Sequence, residues 1–262
     1  VRGGGVRLAG LTFTWAPDTR PATSPMTPFL QISSARDVEV SDCEIFDDPG
    51  RTAWVGWACR IDDSERVTVR DGRAHHFYFG FSAYRSRHVV LRNLDIALWS
   101  HEDGIRVTEC EGPVLIEGCH ITNSGMAGAR GGHVDGIQSV FWNENVTIRN
   151  CRIHGLGQGI GAFGGREGRR LKNWRVEGCL VYDVYAPHVC SIYECDGVSV
   201  VNNTFPQDFP LLHECTGGVI RNNVIGRGVG KGYAGLDVDY NRWITGDGIG
   251  EHDLTGDARF VR

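Results

Sequence analysis

The chain has 262 residues, a size that suffices for one large domain with a core of its own. Its formal net charge is −5, and no basic run interleaved with aromatics is present, which removes the electrostatic footprint expected of a nucleic-acid binder. No apolar stretch is long enough to cross a membrane, and 36 glycines beside 2 methionines point to many turns and little helix.

Short β-rich segments, each ending near a polar or small pair, recur along the chain. They run "VRLAGLTF" (6–13), "VEVSDCEI" (38–45), "VTVRDGRA" (67–74), "VVLRNLDI" (89–96) and "VLIEGCHI" (114–121). They continue as "VTIRNCRI" (146–153), "WRVEGCLV" (174–181), "VSVVNNTF" (198–205) and "GVIRNNVI" (218–225). From Val38 onward the steps are 29, 22, 25, 32, 28, 24 and 20 residues, one β-coil per step with loops of varying length. β-Branched residues alternate with polar ones in most copies, which excludes a helical solenoid.

The sixth position of the segments reads Leu11, Cys43, Gly72, Leu94, Cys119, Cys151, Cys179, Asn203 and Asn223. Stacked at roughly 4.8 Å, these side chains are expected to form an inward ladder, with the Asn amides bonding along the stack. Cysteine serves there as a small hydrophobe, and no Cys-x-x-Cys spacing suggests zinc. Nine cysteines leave at least one free thiol.

These units, with their ladder, resemble the right-handed parallel β-helix of the pectate-lyase-like superfamily. The ending "DYNRWITGDGIGEHDLTGDARFV" (239–261) is similar to the closing coil of many such proteins, with Ala258 in place of the usual proline. The resemblance implies an all-β fold, a single-stranded right-handed parallel β-helix of about eight or nine coils. Residues 1–230 would form the solenoid and 231–262 its closing segment. It also implies a carbohydrate partner, a secreted, extracellular or periplasmic location, and a substrate cleft on the outer face of the first sheet. The oligomeric state stays open.

The first strand of each coil should lie just upstream of the next repeat. That places it at 30–33, 59–62, 80–84, 104–108, 136–140, 159–163, 190–194 and 210–214. On consecutive coils the chain then repeats "HEDGI" (101–105) and "HVDGI" (133–137). Ile105 and Ile137 should point inward, and Gly104 and Gly136 should let the backbone turn from loop to strand. Asp103 and Asp135 are expected one above the other at the cleft edge, with His101 and His133 behind them. Arg106 and Gln138 follow on the outer face by alternation. Arg60, Tyr84, His188, Tyr193 and His213 join that surface from other coils, and Trp142 flanks it. His75-His76 could reach it from a loop.

Two stacked carboxylates repel unless a cation, a proton or Arg106 intervenes, so such a pair in a cleft suggests function. Three reaction types can be built from it. In β-elimination on a uronic-acid glycan, His101 or His133 is the base and Arg106 with Gln138 the carboxylate clamp. Asp103 and Asp135 then hold calcium or orient the histidines, and Tyr84 or Tyr193 protonates the leaving oxygen. In hydrolysis the two Asp act as acid and base, although the motif only partly resembles the "NTDGI" of pectin hydrolases on this fold. An epimerase shares the elimination chemistry, but the "Asp-Pro-His-Glu" type motif of alginate epimerases is missing. A non-catalytic reading is a glycan-binding β-helix, for which the chain's aromatics would serve as sugar platforms.

Overall fold

The repeat segments become parallel strands wound into three sheets. The computed structural model describes residues 1–15, 26–50, 54–124, 134–165, 168–185, 189–228 and 233–256. The first sheet has eight strands, from Pro28–Ser33 through Ile105–Thr108 and Asp135–Val140 to Pro210–His213. The second has ten, from Gly3–Ala9 to Asp237–Asp239, and the third eleven, from Thr12–Phe13 to Leu254–Thr255. Each strand pairs in parallel with its counterpart one coil away, for example Val89 with Val114 and Val114 with Val146. All eight first-sheet strands read from the sequence are present.

The repeat's residue pattern has a local cause. The residue before each ladder position has left-handed backbone: Asp42, Asp71, Asn93, Asn150, Asn202 and Asn222 have φ between 51° and 58°, and Gly118 and Gly178 have 63° and 62°. Asn, Asp and Gly tolerate that conformation best, which explains the polar or small residue at every corner. The next residue then turns inward. Cys43, Leu94, Cys119, Cys151, Cys179, Asn203 and Asn223 are buried, while Leu11 at the end of the stack is exposed, contrary to its expected place in the ladder.

Asn203 Nδ2 donates to Asn223 Oδ1 at 3.0 Å, and Asn223 Nδ2 to Asn241 Oδ1 at 2.9 Å. The same amides donate to the Val176 and Val200 carbonyls, so each corner is tied to the coil on either side. All nine cysteines are free and buried.

Columns of aliphatic residues fill the interior. Val67, Val89, Val114 and Val146 stack in the second sheet, and Ile96, Ile121, Ile153 and Val181 in the third. Burying each such side chain contributes about 1.5–3 kcal/mol, the main force closing the coil. The Asp237–Asp239, Arg242–Gly246 and Leu254–Thr255 strands extend the second and third sheets past the last first-sheet strand.

Candidate active site

Strand alternation sorts the first sheet into an inner and an outer face. Ile61, Ala83, Val107 and Ile192 point into the core with no exposure. On the outer face one row aligns Gln31, Arg60, Ser82, Arg106 and Gln138 across five successive coils. A second row aligns Tyr84, Thr108, Val140, Phe163, Tyr193 and His213. Arg60, Arg106, Ser82 and Tyr84 line a groove of about 230 Å³, together with Trp57, Thr108, Val140 and Phe141.

The repeated Asp-Gly-Ile units occupy equivalent places on consecutive coils, Ile105 pairing with Ile137 and Arg106 with Gln138. The glycines serve close approach, not the expected turn. A Cβ on Gly104 would lie 2.9 Å from the Gly136 carbonyl oxygen, and one on Gly136 would lie 2.7 Å from that of Gly159 and 2.6 Å from Ile153 Cγ2. Neither glycine has positive φ. Bare backbone is needed because successive coils touch there.

The aspartates differ from expectation more sharply. Asp103 is 0% and Asp135 1% exposed, so neither stands at an open cleft edge. Arg106 and Gln138, three residues further on, fold back over them. Arg106 Nε donates to Asp103 Oδ2 at 2.6 Å, and Gln138 Nε2 donates to Asp135 Oδ2 at 2.6 Å. Arg106 Nη2 joins the two halves by donating to Gln138 Oε1 at 3.1 Å. It also donates to Glu102 Oε2 at 2.6 Å, and the guanidinium lies 4.6 Å from the Phe79 ring centroid. Phe79 in turn stacks on Trp57 at 3.9 Å.

Asp103 Oδ1 is buried without a hydrogen-bond partner among the described residues. Burial pushes the Asp103 carboxyl well above the usual carboxylate range; the Arg106 charge offsets part of this, and the charge of Asp135 adds to it. The repulsion anticipated between the stacked carboxylates is therefore handled by a guanidinium and by a carboxyl with raised proton affinity. No group of three or more His, Cys, Asp or Glu capable of holding a metal occurs among the described residues. The cation found beside Asp103 is the Arg106 guanidinium.

His101 lies on the bend before the Ile105–Thr108 strand with 52% of its side chain exposed. Its Nε2 is 3.7 Å from Glu102 Oε1, and its ring is 5.1 Å from Tyr78. Glu102 thus connects His101 to Arg106, a role not anticipated from the sequence. The signal available in the sequence was an acidic residue between His101 and Asp103, and the structure adds that Glu102 has left-handed backbone at φ 58°.

Arg60 stays on the groove, its guanidinium bonded to Asp62 at 2.9 Å and lying 5.4 Å from the Trp57 ring centroid. Tyr193 shares the sheet face but stands three coils beyond Thr108, in edge contact with Phe163 and His213 at 5.2 Å each. Trp142 does not line the groove. Phe141 takes that place, and Trp142 faces the neighbouring corner. His75 belongs to the third sheet, where its Nε2 meets Glu44 at 3.1 Å, away from the groove. His133 and His188 lie outside the described residues.

Among solved structures the chain resembles pectate lyase Pel9A, with a TM-score of 0.61 at 10% identity over 97% of this chain and 69% of that one. Two Azotobacter vinelandii mannuronan C-5 epimerase A-modules, those of AlgE6 and AlgE4, align with TM-scores of 0.35 and 0.34 at 14% and 12% identity. They cover 87% and 88% of this chain and 76% and 80% of their own. The first match is evidence of a shared fold, and the two weaker ones add nothing to it. No curated protein sequence matches. Residues 30–248 match the family described as "Right handed beta helix region", and the chain belongs to that family.

Proposed function

We propose that the chain is a polysaccharide-active enzyme, a lyase that cleaves a uronic-acid glycan by β-elimination in the groove on the first sheet. The observation that carries the reading is Arg106. It stands on the solvent row, held by Asp103, Glu102 and Gln138 and backed by Phe79. Its hydrogen bonds are donated from Nε and Nη2. Arg60 adds a second cation two coils away, roughly 9–10 Å along the axis. Cations in register along a parallel sheet suit carboxylates repeated along a polymer.

In this reaction a base removes the proton next to the substrate carboxylate. The electron pair forms a carbon–carbon double bond as the glycosidic oxygen departs and takes up a proton. Arg106 stabilises the charge that develops on the carboxylate, where a preorganised donor is most effective. His101 is the base, kept beside the Glu102 carboxylate. Tyr84, on the same groove, is better placed than Tyr193 to protonate the leaving oxygen. His133 is the alternative base. Pel9A, named a pectate lyase, supports an acidic glycan at the level of shared fold.

Hydrolysis is the second reading, and the raised proton affinity of Asp103 favours it as a general acid. Both carboxyls, however, lie beneath Arg106 and Gln138, which places elimination first. The test is ultraviolet absorbance of the unsaturated product on a panel of uronic-acid polysaccharides, with and without calcium, alongside a reducing-end assay. Absorbance that rises with wild type and is lost in Arg106→Ala supports the lyase. Reducing ends without absorbance favour hydrolysis, and silence in both assays leaves a binding protein.

A further inference from the structure

A second groove, of about 580 Å³, runs along the corner between the first and second sheets, within the range of roughly 300–1,000 Å³ typical of ligand sites. Its floor is the same turn on successive coils. Asp63, Arg85 and Glu109 hold left-handed backbone there, with φ of 47°, 47° and 53°. In the adjoining strands Arg36, Glu65 and Arg87 stand side by side across three coils. Positive and negative groups therefore alternate along both lines. Arg85 Nε meets Glu109 Oε2 at 3.1 Å, and Arg87 Nη2 meets Glu65 Oε2 at 2.9 Å.

The wall is Trp142, and its placement comes from an unusual backbone. Phe141 has φ of 67°, a conformation that bulky side chains rarely adopt. Phe141 lines the first-sheet groove, whereas the next residue, Trp142, lines the corner groove. Two consecutive aromatics thus form a ridge between two adjoining depressions. Arg169 covers one face of the Trp142 indole, its guanidinium carbon 3.4 Å from the ring centroid. Strain retained at such a ridge is characteristic of ligand clamps.

We propose that this corner groove is a second glycan-binding site, one that takes an uncharged sugar segment. Its three arginines are matched by four carboxylates (Asp63, Glu65, Glu109 and Glu111), so it offers a polyanion no net attraction. Guanidinium donors alternating with carboxylate acceptors suit the hydroxyl groups of a neutral sugar, and an indole suits the C–H face of its ring. A neutral stretch or branch of the polymer handled in the first groove would reach it across the Phe141–Trp142 ridge. The inference rests on the glycan reading for that neighbouring groove.

The experiment is titration calorimetry with neutral oligosaccharides of glucose, galactose, mannose, xylose and arabinose, using wild type, Trp142→Ala and Trp142→Phe. Circular dichroism checks that each variant is folded. At least one neutral series should bind wild type, weaken by about tenfold or more in Trp142→Ala, and stay within about threefold in Trp142→Phe, which keeps a ring. Absence of binding across the series, or binding equal in Trp142→Ala and wild type, overturns the proposal. Trp142-dependent binding without uronate cleavage would sink only the lyase, and cleavage without Trp142-dependent binding would sink only the second site.

Discussion

Arg106→Ala removes the cation from a buried carboxyl group, and the consequence depends on pH. Asp103 is fully buried, and its Oδ2 receives Arg106 Nε at 2.6 Å. Deleting one partner of a buried pair costs on the order of 3–5 kcal/mol when the other charge stays ionised. Asp103 has an alternative, because burial already holds its carboxyl well above the usual range, so that in the variant it takes up a proton instead. A group whose folded-state pKa is raised contributes its full stability below the unfolded value, near ~3.9, and loses it as pH rises through the folded value.

Loss of Arg106 raises that folded value further. The stability gap between wild type and variant is therefore smallest in mild acid and widens with pH, by at most about 1.4 kcal/mol per unit. Over the pH range in which the protein stays folded, the total widening is bounded by the cost of a broken buried pair, about 3–5 kcal/mol. Urea unfolding of both proteins across that range, compared at a common slope, reads the gap directly. Adding Asp103→Asn to Arg106→Ala should abolish the widening, since no titratable group then remains at that position. A gap of equal size at both ends of the range, or one that Asp103→Asn leaves unchanged, would refute this account of the pair.

Three further outcomes are expected. Asn223→Ala should cost about 3–5 kcal/mol, because the buried Asn203 amide and Val200 carbonyl both lose a partner; thermal unfolding should fall by about 2–4 °C per kcal/mol. Gly136→Ala should cost about 1–3 kcal/mol and more than Gly104→Ala, since its Cβ meets Ile153 and the Gly159 carbonyl more closely; denaturant midpoints decide the order. Tyr193→Ala should weaken binding of long uronate oligomers about tenfold and leave the shortest ones unchanged, because Tyr193 stands roughly 14 Å from the strand of Arg106. Calorimetry against oligomers of graded length checks it.

Coil number and strand placement were legible because a solenoid writes its structure locally. The corner at "RNC" in Arg149-Asn150-Cys151 is decided by one left-handed residue and one inward residue, and both choices show in the letters. The same holds for "EGC" and "VNN" elsewhere. The site was legible in address only. The sequence located the two His-x-Asp-Gly-Ile units on neighbouring coils, and the pairing of Ile105 with Ile137 agrees. It did not indicate that both aspartates are covered, since that depends on Arg106 and Gln138 folding back by three residues.

Trp142 makes the same point from the other side. Its letter signals an aromatic near the cleft, but the sign of φ at Phe141 decides which of two grooves it enters. Periodicity, turn residues and the inward column are properties of single coils, so the sequence by itself determined the β-helix and the coils that carry the candidate site. Burial of Asp103 and Asp135, the link from Glu102 to Arg106 and the division between two grooves depend on how Arg106 and Gln138 fold back along their own coils, on the Arg106–Gln138 bond between coils and on the backbone at Phe141. The letters do not carry the direction of a side chain or the sign of a backbone angle, and so only the tertiary structure decided them.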